Sequence, residues 1–207
     1  MPNYVSHIVT FNGPEESLNQ IEKLYDEKTG VFFNNILPTP EELNIDAGSS
    51  EFTTPEIRKL VGFGSGADEQ IAQMREAYLK YKNTDTVDNF VQSIRNYIIH
   101  GYTSWYRWHI AHWGTKWDAC GMNLTRLSNE KIVATFDTAW STPTEIFEAL
   151  AVRFPDVVIE ADFASEDRGY NCGYILCENG ECIISYLEDG TEEALAHATE
   201  VLGDWED

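Results

Sequence analysis

The spacing of apolar positions divides the chain into short elements. Val5 to Phe11 is β-branched and aromatic and ends at Asn12-Gly13, which predicts a strand and a turn. Pro14 suits a first helical position, with Glu15 and Glu16 in the first turn. Leu18, Ile21, Leu24 and Tyr25 then recur at helical spacing up to Gly30. Val31–Leu37 reads as a second strand, closed by Pro38 and Pro40, and residues 41–53 read as a loop. Thr54-Pro55-Glu56 opens a helix that Gly62, Gly64 and Gly66 interrupt and that resumes from Asp68 to Lys82. Further helices are predicted over Asp85–His100 and Tyr102–Trp113, the latter ended by Gly114.

Beyond Gly114 the periodicity changes to that of strands. Cys120–Leu127 and Lys131–Trp140 flank Ser128-Asn129-Glu130 as a hairpin. A helix begins at Thr142-Pro143-Thr144-Glu145 and ends at Phe154-Pro155. Strands follow at Val157–Phe163, Tyr170–Glu178 and Glu181–Leu187, the last two joined by Asn179-Gly180, a strong two-residue hairpin signal. Thr191-Glu192-Glu193 opens a final helix reaching Leu202. Two β-α-β halves around a hairpin imply an α+β protein with a ferredoxin-like split βαβ antiparallel sheet. The expected organisation is one domain over 1–207. Residues 1–40 and 115–207 form the sheet and its helices, and 41–114 form a helical insertion.

Four of the six tryptophans fall between Trp105 and Trp117. The block Trp113-Gly114-Thr115-Lys116-Trp117-Asp118 is echoed by Phe136-Asp137-Thr138-Ala139-Trp140-Ser141. Together with Met1-Pro2-Asn3-Tyr4, Asn12-Gly13-Pro14 and Leu37-Pro38-Thr39-Pro40-Glu41-Glu42-Leu43, these blocks resemble the YubB-type ferredoxin-like family of bacteriophage and plasmid proteins. The resemblance runs from residue 1 to about 175. It implies a fold and a mobile-element origin, with no established activity and no catalytic residues to carry over. Trp113, Gly114, Lys116, Trp117, Asp118, Asp137 and Trp140 read as a structural signature that latches the insertion to the sheet, because aromatic clusters are commonly core.

Charge changes the picture most. The net charge is −21, and residues 137–207 hold 18 acidic against two basic side chains. Such a field repels nucleic-acid phosphates and anionic lipid, and it accelerates association with basic partners. No apolar run approaches the roughly 20 residues of a membrane span, and no secretory signal begins the chain, so a cytoplasmic protein is expected. In that compartment Cys120, Cys172, Cys177 and Cys182 are expected as thiols. The Asn179-Gly180 turn nevertheless sets Cys177 opposite Cys182, within reach of a disulfide.

Candidate chemistry is sparse. His109 and His112 share a helix face near Cys120, but the paired spacing of a zinc site is missing, so no metal is assigned. Asp162, Glu166, Asp167 and Arg168 match no calcium loop. Gly62-Phe63-Gly64-Ser65-Gly66 lacks the lysine of a phosphate loop. Glu178 facing Glu181, with Glu188, Asp189, Glu192 and Glu193 beyond, crowds like charges with no gain to folding. These six residues are the expected partner-binding surface. The expected function is a non-enzymatic, cofactor-free inhibitor. It binds a basic or nucleic-acid-binding host defence protein, of CRISPR or restriction type, as a nucleic-acid mimic. One rival is an enzyme or ligand-sequestering protein using His109, His112, Lys116, Asp118 and Asp137. The other is an accessory structural protein with no specific partner.

Overall fold

The computed structural model describes residues 3–45 and 84–203. The helix predicted from Thr54, the glycine break at 62–66, the helix Asp68–Lys82, part of the predicted loop and the terminal acids Asp204, Glu206 and Asp207 lie outside the described residues. The chain divides into two compact units, Met1–Pro38 with His109–Asp207, and Thr39–Trp108. The described strands are β1 (Tyr4–Asn12), β2 (Cys120–Ser128), β3 (Lys131–Ala139), β4 (Val158–Ser165), β5 (Cys172–Glu178) and β6 (Glu181–Tyr186). The described helices are α1 (Glu15–Glu22), α2 (Phe33–Ile36), α3 (Thr84–His100), α4 (Trp105–His112), α5 (Thr144–Arg153) and α6 (Glu192–Leu202).

In the first unit the six strands form one antiparallel sheet in the order β2-β3-β1-β4-β5-β6. β1, α1, β2 and then β3, α5, β4 are the two halves of a split βαβ plan, with β1 and β3 paired at its centre. Strict alternation along β1 buries Val5, His7, Val9 and Phe11 and leaves the residues between them half-buried. Ile132, Ala134 and Phe136 on β3, Ile159, Ala161 and Phe163 on β4, and Ile175 on β5 continue the same buried face. α5, with Ile146, Phe147, Leu150 and Ala151 inward, packs over β4, β5 and β6. β5 and β6 extend the sheet past β4, and α6 crosses the opposite face, where Ala194 and Ala198 meet Ala164 and Cys172. His197 secures this helix, its Nε2 lying 3.2 Å and 3.0 Å from the Phe163 and Gly173 carbonyls.

Two expectations need correction. Val31–Leu37 is not a strand; Phe33–Ile36 is a helical turn. The Asp118 carboxylate accepts the N–H groups of Phe32, Phe33 and Asn34 at 2.8–3.1 Å, so the backbone donors of this run are taken by a side chain distant in sequence. Phe33 and Ile36 still bury their side chains, which is why the run reads as apolar. The first β-α-β half is therefore completed by β2, not by this segment. Cys177 and Cys182, expected as thiols, are joined as a disulfide, while Cys120 and Cys172 are free. The two-residue turn holds the paired residues directly opposite, as the disulfide requires.

Within the second unit, Val91 and Ile94 of α3 are buried, and α3 packs on the 3₁₀ turn Glu41–Leu43. Buried Asn96 donates to the carbonyls of Glu42 (2.7 Å) and Thr103 (3.2 Å), tying both ends of the unit to one side chain. Among the described residues no helix is long and apolar enough to cross a membrane.

His7 sits at the centre of the sheet, its ring stacked 4.8 Å from Phe136, with Nδ1 3.4 Å from the Phe136 carbonyl. Burial lowers its pKa from 6.5 to about 3. The folded chain therefore refuses a proton that the unfolded chain accepts between these values. Stability is intact above pH 6.5 and falls as pH drops toward about 3, by up to about 1.4 kcal/mol per pH unit. His7→Phe is expected to flatten this portion of the urea-denaturation profile measured between pH 7 and pH 4. An unchanged slope would assign the acid sensitivity to other groups.

Candidate interaction face

The tryptophan block builds a junction inside the first unit. Gly114 takes φ +76, and a Cβ there would meet the Glu145 carboxylate and the Thr142 carbonyl, so the turn needs glycine. Ser141 Oγ donates to the Gly114 carbonyl, and Thr115 Oγ1 donates to the Ala139 carbonyl at 2.9 Å. Trp113 Nε1 donates to the Leu37 carbonyl at 2.9 Å, and its ring stacks on His109 at 3.6 Å. His109 Nδ1 lies 2.9 Å from the Lys116 carbonyl, and burial, opposed by that carbonyl and by Asp118, lowers the imidazole pKa. The Lys116 ammonium lies 4.6 Å from the Trp117 ring centre and 5.0 Å from that of Trp140. Trp140 holds this position with φ +72, an uncommon conformation for a non-glycine residue.

Most of the residues that favoured a ligand pocket thus have structural duties. Asp118 holds α2, Asp137 accepts the Ser6 hydroxyl at 2.6 Å, and His109 packs on Trp113. His112 ends α4 and is half-buried. Among the described residues no group of three or more His, Cys, Asp or Glu side chains is arranged to hold a metal ion.

Charge collects elsewhere, on the sheet face against which α6 packs. Strand register sets Thr10, Glu160, Leu176 and Ile183 in one row and Ile8, Asp162, Tyr174 and Ser185 in the next. Glu178 and Glu181 pair on the same face at the hairpin end. Glu193 and Glu200 of α6 both act electrostatically on Tyr174 from above the sheet. Burial first, then Asp162, Glu193 and Glu200, raises the Tyr174 pKa. Burial also raises the Asp162 carboxyl, with Glu200 and Glu160 adding to the shift and His197 opposing it. No lysine or arginine occurs in β4, β5, β6 or α6.

The six residues read from sequence are spread along the β5–β6 hairpin, the turn after it and the start of α6. Glu178, Glu181 and Glu193 belong to this face. Glu188, Asp189 and Glu192 lie past the other end of β6, where Asp189 accepts the Asn171 N–H at 3.1 Å and Glu192 starts α6. The six-residue β6 sets Glu188 and Asp189 about 17 Å from the Glu178–Glu181 end of the hairpin. Glu160 and Glu200, absent from the sequence assignment, complete the face. Alternation within 157–163 already placed Glu160 and Asp162 on one side, but their neighbours required the register. Asp162 parts from Glu166, Asp167 and Arg168, which follow β4 in the loop.

The sheet order and the layers define a ferredoxin-like α+β domain. Residues 112–203, from the end of α4 through α6, match the family model described as the ferredoxin-like domain in Api92-like protein. The chain is also similar to the crystal structure of a protein api92 from Yersinia pseudotuberculosis, at 8% identity and a TM-score of 0.49, covering 91% of this chain and 99% of that one. No curated protein matches the sequence.

Two substitutions separate support from surface. Asp118→Ala removes the acceptor of three N–H groups at α2 and is expected to cost about 1–3 kcal/mol in urea denaturation. A change within measurement error would exclude the cap as a determinant of stability. Asp162→Asn is expected to act in the opposite direction. With the folded carboxyl raised, the ionised form burdens the native state at pH 7, and this burden vanishes below the unfolded value of 3.8. The variant's urea midpoint should exceed the parent's at pH 7 and match it near pH 3.

Proposed function

We propose that the chain is a non-enzymatic acidic protein of the YubB-type, mobile-element kind. It binds and inhibits a basic host defence protein by presenting carboxylates where that protein expects phosphates. The observation that carries this reading is the sheet face that gathers half-buried Asp162 with the exposed Glu160, Glu178, Glu181, Glu193 and Glu200, built from elements without one lysine or arginine. The ionised Asp162 carboxylate burdens the folded state, and arginine or lysine from a partner would relieve it through charge-assisted hydrogen bonds. The alternative of a small-ligand site beside the tryptophans has less support, because Asp118, Asp137 and His109 already hold the chain together. An accessory structural protein would leave the face without an occupant.

The compartment in this reading is the host cytoplasm. There Cys177 and Cys182 would be reduced, and the Asn179-Gly180 turn with its paired strands would hold the hairpin by itself.

The test compares two charge-reversed proteins for capture of host proteins at low and high salt. Reversing Glu160, Glu193 and Glu200 to lysine should reduce capture by about tenfold or more, and salt should weaken the parent's binding. Reversing Glu188, Asp189 and Glu192 should have a smaller effect. Capture that survives the first reversal, with folding verified by circular dichroism, would refute the phosphate-mimic reading.

A further inference from the structure

The two edges of the sheet differ. β2, at one edge, has two register shifts, between Cys120 and Asn123 and between Arg126 and Ser128. Gly121 takes φ +60 there, and Arg126 is turned onto Glu22 and Asn19 of α1 at 2.7–2.9 Å. Irregularity and charge of this kind discourage another strand from adding. β6, at the other edge, pairs with β5 without interruption from Glu181 to Tyr186 and contains no lysine, arginine or proline.

The phase of that edge follows from its turn. A two-residue hairpin closes on a hydrogen-bonded pair, here Glu178 and Glu181, and the Leu187 N–H donates to the Cys172 carbonyl at 3.0 Å in the same alternation. The N–H and C=O groups of Glu181, Ile183 and Ser185 therefore point toward β5. Those of Cys182, Ile184 and Tyr186 point outward. Beside them are apolar side chains left open to solvent: Ile183 is 67% exposed, Tyr186 60% and Leu176 40%. Exposed apolar groups on an unblunted edge make a template for an added strand.

We infer that β6 receives an extended segment of a basic partner, which pairs with the outer edge as a seventh strand. This inference rests on the acidic-face reading and gives it a binding mode. The segment's residues on the face shared with Glu178 and Glu181 are basic, and those on the side of Ile184 and Tyr186 are apolar. Charge selects against a second copy of this chain as the occupant. Two copies each carry a net charge of −21, and antiparallel pairing of β6 with itself would bring the Glu178 and Glu181 clusters of both copies onto one extended sheet.

The test uses the full chain and a synthetic peptide of alternating lysine and valine. A second peptide of the same sequence is N-methylated at alternate residues along one edge, which keeps its charge and side chains but removes the strand's donors. The unmodified peptide should bind about tenfold tighter than the methylated one. It should also slow hydrogen exchange at the amides of Cys182, Ile184 and Tyr186. Equal binding of the two peptides without protection at those amides would overturn strand addition and leave the acidic-face reading intact. Failure of both peptides to bind would overturn both. Protection that appears without peptide and grows with protein concentration would assign the edge to a second copy and refute the basic partner.

Discussion

The register of β1 is the constraint on which the rest of the first unit depends. This strand is paired along nearly its whole length on both sides, with β3 and with β4. A slip of one residue would exchange its two faces, sending Val5, Val9 and Phe11 toward solvent and Ser6, Thr10 and Asn12 into the core. The apolar alternation prevents that slip. Once β1 is set, β4 follows with Glu160 and Asp162 outward, and β5 and β6 follow β4. The acidic face is thus a consequence of the same alternation that forms the core.

The two sheet faces meet different physical demands. The core face is closed by α5 and by large apolar side chains, with the neutral His7 as its one ionisable member on β1. The other face meets α6 through small residues, Ala194 and Ala198 against Ala164 and Cys172, with Leu187, Val201 and Leu202 packed around them. Small side chains let α6 approach closely, and that approach brings Glu193 and Glu200 over Tyr174 and Asp162 and partly removes water from them. The same residues would be unremarkable on a fully solvated surface, where repulsion between carboxylates is small and screened. Partial burial sets Asp162 apart from the exposed acids around it, and its carboxyl pKa rises accordingly.

Elements with a strong local signal were readable. The Asn179-Gly180 hairpin, the alternation of Lys131–Ala139 and the capped helix opened by Thr191 each carry their instruction within a few residues, and Thr191 Oγ1 accepts the Ala194 N–H as such a cap does. Val31–Leu37 was misread because its apolar content specifies burial but not the backbone partner, and the partner is Asp118, more than eighty residues later. The acidic site was half readable for the same reason. Glu178 and Glu181 are neighbours through a turn, whereas Glu160, Asp162, Glu193 and Glu200 are neighbours only through strand pairing and helix docking.

By itself the sequence determined what neighbouring residues decide together: the strand and helix periods, the tight turns, the surplus of negative charge toward the end of the chain, and the helix end at Gly114. Only the tertiary structure decided which carboxylates share a face, which strands form the edges of the sheet, and that Asp118 caps α2. The physical reason is range. Backbone preference and side-chain alternation act over a few residues, but desolvation and charge coupling depend on whichever groups the fold brings within several ångströms of one another.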